Sequence, residues 1–440
     1  MSKIIYILAL LFFTCLINGK HHLIHVHMLF RHGDRSSISP YPFKGYDPSV
    51  VWPEGYGQLT QIGIEQHFLL GKWLNGKFND FVSHNYSVST FRMRSSDVDR
   101  ALMSAQAMMA GFFHKSPSSL DKYGLHWRPV PAHTVSKNND WLLSLAPCAR
   151  IAQRRKELMQ TKEAQALYKE HESTISTMSD FYGIKNVSFA DIWMISDDLF
   201  CLRSHNATLP PFYTKEVAAE LDDLTDHIFQ IYFADQELIK LSSGVFLRES
   251  FNQMSHFIAN GTLEHSKDLP QILAFSAHDT NVAPFLGAFG AYANESKPAY
   301  ASLVVLELYA PSPDAPNEEF ILKLRYKRGW KDDTSEYLQF AACKGQRDAK
   351  QGCPFVVVRE SVVPLFLTED EAAESCKTIW IPTRYRVIVG FSLGAFIILF
   401  LCTLFAALAI SKRRQRQMDR NFSVSGEMPY SPLVSSPSTL

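Results

Sequence analysis

Net charge is the first thing this chain lacks. Its 440 residues carry 44 Lys and Arg against 44 Asp and Glu, so no global field draws it to nucleic acid and binding must come from a local site. No two cysteines stand at C-x2-C spacing, which leaves a zinc-finger reading without support. Internal repeats are missing too. Composition is otherwise ordinary, 46% hydrophobic and 20% charged, and the length suits one large domain or two.

What is present begins at the two ends. Met1-Ser2-Lys3, an apolar run from Ile4 to Ile17 and then Asn18-Gly19-Lys20 predict a secretory signal peptide over residues 1–19. Near the other end, Val387 to Ile410 is 24 residues without a charge, long enough at the helical rise to cross a hydrocarbon core. Arg384 and Arg386 precede it and Lys412, Arg413, Arg414 and Arg416 follow. The larger basic cluster predicts a cytosolic tail, 411–440, and hence a single-pass type I protein with residues 20–384 on the lumenal side. The tail after Arg420, rich in Ser and Pro, is predicted to be disordered.

Glycosylation sequons at Asn85, Asn186, Asn206, Asn260 and Asn294 all lie on that lumenal side, which agrees with an oxidising compartment. Asn421 also sits in a sequon, but in the predicted cytosolic tail. Five cysteines remain in the ectodomain, Cys148, Cys201, Cys343, Cys353 and Cys376, and an odd count leaves at least one without an internal partner.

His21 to Phe30 alternates His25 and His27 with Ile24, Val26 and Met28, a period-two pattern that predicts a strand ending at Arg31-His32-Gly33, where glycine permits a turn. Two histidines at i and i+2 suit a metal, but no carboxylate or cysteine in the segment completes a site, so no metal is expected there. Leu59 to Phe78 has helical spacing, and Tyr86 to Met93 predicts a second strand. Ser95-Ser96-Asp97 is a helix-start signal, and Arg100 falls in the first turn of the apolar helix that follows. Gln271 to Phe275 predicts a buried strand, followed by the turn Ser276-Ala277-His278-Asp279-Thr280 and a helix. Leu303 to Tyr309 and Phe320 to Tyr326 are further strand candidates. Charged helical pattern dominates residues 135–257. Together these predict an α/β fold: a central, mostly parallel sheet flanked by helices, a smaller helical cap inserted at 135–257, and one transmembrane helix.

The strand-to-helix junctions deliver Arg31, His32 and Arg35, then Arg100, then His278 and Asp279. Ligands of open α/β sheets sit beyond the carboxyl ends of strands, where such turns converge. Arg31, His32 and Arg35 place three basic groups in five residues, which repel one another unless an anion sits among them.

On Arg31-His32-Gly33-Asp34-Arg35, Arg94 to Ala105, His205 to Pro210 and Ser276 to Thr280, the chain resembles the histidine acid phosphatases over essentially the whole ectodomain. The match is nearest to the lysosomal and prostatic type, and the membrane span favours the lysosomal kind. The resemblance implies a phosphohistidine mechanism with His32 as nucleophile and Asp279, held protonated by a modestly raised carboxyl pKa, as proton donor. Arg31, Arg35, Arg100 and His278 would bind the phosphoryl oxygens, with no metal or other cofactor. Small-molecule or protein phosphate monoesters would be the substrates, and the type also implies a homodimer. Where that type has a cysteine partner for Cys201, this chain has Ala301-Ser302-Leu303. The resemblance then implies the pairs Cys148–Cys376 and Cys343–Cys353, one of three connectivities. Ser37 stands where many relatives have proline. Tyr430-Ser431-Pro432-Leu433 has the form of a tyrosine-based sorting signal, with Tyr430 and Leu433 contacting a sorting adaptor, which implies delivery to the lysosomal membrane and passage through the cell surface.

Two other readings stand beside this one. A catalytically silent receptor or adhesion module would be marked by loss of one of the six site residues, and none is missing. A lipid or phytate phosphatase of narrow specificity is not separated by sequence, because the pocket walls come from the loop at Tyr41 to Tyr56 and the helical insertion.

Overall fold

The structure is a computed structural model that describes residues 21–83, 85–144, 148–259, 269–292, 295–311, 319–331, 333–377 and 383–424. The chain divides into two units, Met1–Thr378 and Ile379–Leu440.

The first unit opens with β1 (His22–Arg31), α1 (Pro48–Val51), α2 (Gln61–Phe78), β2 (Phe91–Ser95), α3 (Asp99–Phe112) and β3 (Ala132–His133). Helices follow: α4 (Ala149–Leu158), α5 (Lys162–Glu170), α6 (Glu172–Tyr182), α7 (Phe189–Ser204), α8 (Lys215–Ala234) and α9 (Gln236–Ala259). The chain then returns to the sheet with β4 (Ile272–Ala277), α10 (Asp279–Ala288), β5 (Leu303–Ala310), β6 (Ile321–Lys327), β7 (Glu336–Leu338) and β8 (Cys353–Pro354). It closes with α11 (Phe355–Val362) and α12 (Glu369–Lys377).

The strands form one sheet in the order β3-β2-β4-β1-β5-β6-β7, with β8 beside β6. The pairs among β3, β2, β4 and β1 are parallel, whereas those among β1, β5, β6, β7 and β8 are antiparallel. The sheet is therefore mixed rather than mostly parallel. Its cause is connection length: β5, β6 and β7 follow one another through short links, while the links from β1 to β2 and from β2 to β4 carry the helices that parallel pairing requires.

Alternation in β1 distributes residues between two covered faces, not between core and solvent. Val26, Met28 and Phe30 pack with Leu70, Leu74, Met108 and Phe112 of α2 and α3. Leu29 turns to the other face, where the core runs continuously from the sheet through Phe246, Leu247, Ile228, Leu199 and Ile192 of the predicted cap. Those helices thus share a core with the sheet. His25 and His27 lie on this second face. His25 stacks on Phe257 at 4.1 Å, and neither of its ring nitrogens has a hydrogen-bond partner among the described residues. His27 donates from Nε2 to Gln253 Oε1 at 2.8 Å.

Disulfides join Cys148 to Cys376 and Cys343 to Cys353, the first tying the start of α4 to the end of α12. Cys201 is a buried free thiol. Asn85, Asn186 and Asn206 are exposed. The second unit contains α13 (Thr383–Val424), in which Phe396–Met418 is long and apolar enough to cross a membrane, with mean hydropathy 2.0. Residues 1–19, Asn260, Asn294, Tyr430 and Leu433 lie outside the described residues.

Candidate active site

Register brings the carboxyl ends of β1, β2 and β4 level. Arg31 lies opposite Ala277, and Ser95 opposite Ser276. His32 N donates to Ala277 O and Ser96 N to Ser276 O, both at 3.0 Å, so the three strand ends are knit where a ligand of an α/β sheet belongs. Gly33 is needed here for close approach: a Cβ on it would meet Gly63 O of α2 at 2.6 Å. Glycine in this motif admits the first turn of α2 against the loop, a different reason from the turn expected.

The second helix start differs from its signal. α3 begins at Asp99, and its N-cap, Val98, makes no side-chain cap bond. Ser96 is instead committed to the site, its Oγ 2.9 Å from His278 Nε2. His278 is the N-cap of α10, and its N donates to Asn281 Oδ1 at 3.2 Å, which fixes the turn that carries Asp279.

The His32 ring is oriented by its own loop, with Nδ1–H donating to Gly33 O at 2.8 Å. That bond assigns the proton to Nδ1 and leaves the Nε2 lone pair for chemistry. Burial, then Arg100, Arg31, His278 and Arg35, hold its pKa well below the ordinary imidazole value, which favours the neutral ring. His278 is held down to about 3, by burial first and by Arg100 among the charges.

Three guanidinium groups are each fixed by their outer nitrogens. Arg31 donates from Nη1 to Pro298 O at 2.5 Å, and its Nη2 lies 2.9 Å from Asp279 Oδ2. Arg35 Nη2 lies 2.9 Å from both Asp197 oxygens, and its Nη1 donates to Ser36 O at 3.2 Å. Arg100 donates to Gly57 O at 3.4 Å. In all three, buried Nε has no partner among the described residues, an expensive arrangement unless an acceptor is brought to it. Like-charge crowding is also visible: burial, then Arg35, lower the Arg100 pKa to about 10.

Asp279 departs from expectation. Burial pushes its carboxyl up, but Arg31, Lys297, Arg35 and His278 outweigh that and hold it below the usual carboxylate range. The charged form is favoured by the ion pair and by its place in the first turn of α10.

His32, Arg35, Arg100, His278 and Asp279 line one cleft of about 250 Å³, and Arg31 reaches it through Asp279. Its outer wall is Ile38, Val98, Leu143, Trp193 and Met194, with Lys137 and Ser144 as polar members. Basic groups, a neutral imidazole with a free lone pair and a carboxyl suit transfer of a phosphoryl group, which needs positioning and charge stabilisation above all. Sequence reasoning missed Asp197, Ser96, Lys297 and Tyr300. Asp197 and Ser96 sit in patterns that read as helix face and helix cap. Lys297 and Tyr300 lie in a loop whose only signal is proximity to β5.

A family model described as Histidine phosphatase superfamily (branch 2) matches residues 22–327. Lysosomal acid phosphatase of Homo sapiens is 31% identical over 402 residues, covering 89% of this chain and 88% of the relative. Prostatic acid phosphatase of Mus musculus is 34% identical over 307 residues, 68% of this chain and 78% of that one. Among solved structures, the phytase from Citrobacter braakii superposes with a TM-score of 0.59 at 14% identity, covering 79% of this chain and 98% of that chain, a likeness of fold alone.

Proposed function

Because this chain belongs to branch 2 of the histidine phosphatase superfamily, we propose that it is an acid phosphatase that hydrolyses phosphate monoesters through a phosphohistidine on His32. The observation that carries the residue assignment is the His32 ring. Its Nδ1–H is committed to Gly33 O, and its pKa is held well below the ordinary value, so Nε2 can attack at acid pH.

The reaction balances on these residues. Nε2 forms a bond to phosphorus as the ester P–O bond breaks in line, and the Nδ1–H bond to Gly33 O steadies the charge that develops on the ring. Arg31, Arg35 and Arg100 take the equatorial oxygens with their Nε–H and remaining donors. The neutral His278, oriented by Ser96 Oγ 2.9 Å from its Nε2, is a further contact for the phosphoryl oxygens. Asp279 gives its proton to the departing oxygen. A phosphate dianion engages Arg31 and adds negative charge beside Asp279, and both effects raise the carboxyl's proton affinity from its low starting value. In the second half, Asp279 takes a proton from water as that water attacks phosphorus, releasing inorganic phosphate and restoring His32.

The names of the relatives and the apolar helix in α13 support a membrane-anchored lysosomal protein. We extend this to a type I orientation with residues 20–384 in the lumen, passage through the cell surface, a tail read by a sorting adaptor, and a homodimer. The cleft supports an aryl or apolar leaving group against Trp193 and Leu143. A panel of phosphomonoesters assayed across pH tests the reading, with a labelled phosphoenzyme trapped in acid. Wild-type protein should turn over aryl phosphates near pH 5 and His32→Ala should form neither product nor phosphoenzyme. Turnover retained by His32→Ala would sink the nucleophile.

A further inference from the structure

Two guanidinium groups of like charge share one buried corner, and beneath them lies an aromatic ring. The Tyr300 ring centroid is 4.3 Å from Arg31 Cζ and 5.9 Å from Arg35 Cζ. It is also 5.8 Å from the centroid of the His32 ring. Among the described residues, its hydroxyl has a weak hydrogen-bonding neighbour in Cys201 Sγ at 3.7 Å.

The backbone around it holds the same groups. Pro298 O accepts from Arg31 Nη1, Ser302 O from Arg31 N, and Ala301 N donates to His32 O. Ala301 has φ +55°, a left-handed conformation that costs a residue with a side chain and persists where surrounding structure enforces it. Residues 298–302 are thus shaped to present the ring.

We propose that Tyr300 is a positioning residue whose ring face sets the spacing of Arg31 and Arg35 for the phosphoryl group, its hydroxyl being dispensable. This rests on the phosphatase reading. A carboxylate in this place would also gather the arginines, but it would neutralise them and repel phosphate. Asp279 and Asp197 already take one arginine each. An aliphatic side chain would fill the volume without attracting a cation. The electron-rich face of an aromatic ring attracts both guanidiniums and leaves their charge available.

The experiment measures binding of inorganic phosphate at pH 5 by calorimetry, on the full-length chain in detergent, with melting temperature as a folding control. The variants are Tyr300→Phe, Tyr300→Leu and a series of phenylalanines at 300 with increasing ring fluorination, which keeps shape while draining the ring face. Tyr300→Phe should bind within about twofold of wild type, and fluorination should weaken binding stepwise by about 3- to 30-fold in all. The acid limb of kcat/KM should move to higher pH along the series, because a displaced Arg31 depresses the His32 pKa less. A flat fluorination series overturns the proposal, whether or not Tyr300→Leu folds. So does a Tyr300→Phe protein that binds as poorly as the most fluorinated one, which would assign the role to the hydroxyl. Wild-type protein that binds no phosphate takes down the phosphatase reading as well, whereas a flat series with normal wild-type binding takes down this inference alone.

Discussion

Arg31 Nη2 lies 2.9 Å from Asp279 Oδ2, so the carboxyl proposed to protonate the leaving group is ion-paired with a member of the proposed phosphate clamp. The pair couples binding to protonation. Whatever anion draws Arg31 toward itself loosens its hold on Asp279 and favours the protonated acid, so the proton donor is armed by substrate rather than by bulk acidity alone.

Removing that donor should discriminate between leaving groups. Asp279→Ala should lower kcat for an alkyl phosphate by roughly 10²- to 10⁴-fold, because an alkoxide leaves poorly without a proton. An ester of an acidic phenol, which leaves as the phenolate, should lose far less. Steady-state rates on the two esters check this, and equal losses would argue that Asp279 does not act as an acid.

The His32 imidazole owes its low pKa to burial and, among charges, first to Arg100. Arg100→Met should therefore let the His32 pKa rise, and the ring should protonate at a higher pH than in wild type. Labelled-histidine NMR, with His32 identified by its absence in His32→Ala, reads this without turnover. An unmoved titration would mean that Arg100 does not contribute to the ring's low pKa.

Asp34, between His32 and Arg35, is held from outside its loop. His205 Nε2 and Thr60 Oγ1 each lie 2.6 Å from Asp34 Oδ1, and His205 follows α7, which also supplies Asp197 to Arg35. His205→Phe should cost about 1.5–3 kcal/mol of stability, the value of a bond to a charged group, and should raise KM by loosening the loop. In a double-mutant cycle with Asp34→Asn the two losses should not add; additivity would show that the contact carries no energy.

How much of this was legible in the sequence depends on distance along the chain. The junctions at Arg31-His32 and His278-Asp279 were readable because an apolar run and a turn lie side by side. Ser96 reads as a helix start because its hydroxyl's partner, His278, is 182 positions away. Asp197 stands in a helical run where a carboxylate reads as solvent face, and only packing of α7 against the loop turns it onto Arg35. The antiparallel half of the sheet was missed because strand direction is set by connections and partners, not by composition. His25 and His27 read as structural histidines rather than ligands, but the sequence does not show that their face meets a second core, because alternation looks the same whether that face meets water or packed helices.

That second core has a consequence for stability in acid. Burial there holds His27 down to about 4, and burial with the neighbouring His27 holds His25 well below its ordinary value; on the opposite face, beside Phe30, burial holds His67 to about 3. Unfolded imidazoles titrate near 6.5. Above that pH neither state binds the proton and these groups contribute no pH dependence. As pH falls below 6.5 the unfolded chain takes up protons that the folded chain refuses, so stability declines, by about 3 kcal/mol for His27 once pH reaches 4. The window includes the pH near 5 at which an acid phosphatase works. His25→Phe should remove one such site while keeping an aromatic ring against Phe257, 4.1 Å away in the wild type. Urea unfolding at pH 7 and pH 4.5 should show a smaller loss between the two conditions for this variant than for wild type. Equal losses would mean that His25 takes up a proton in the folded protein as readily as in the unfolded one.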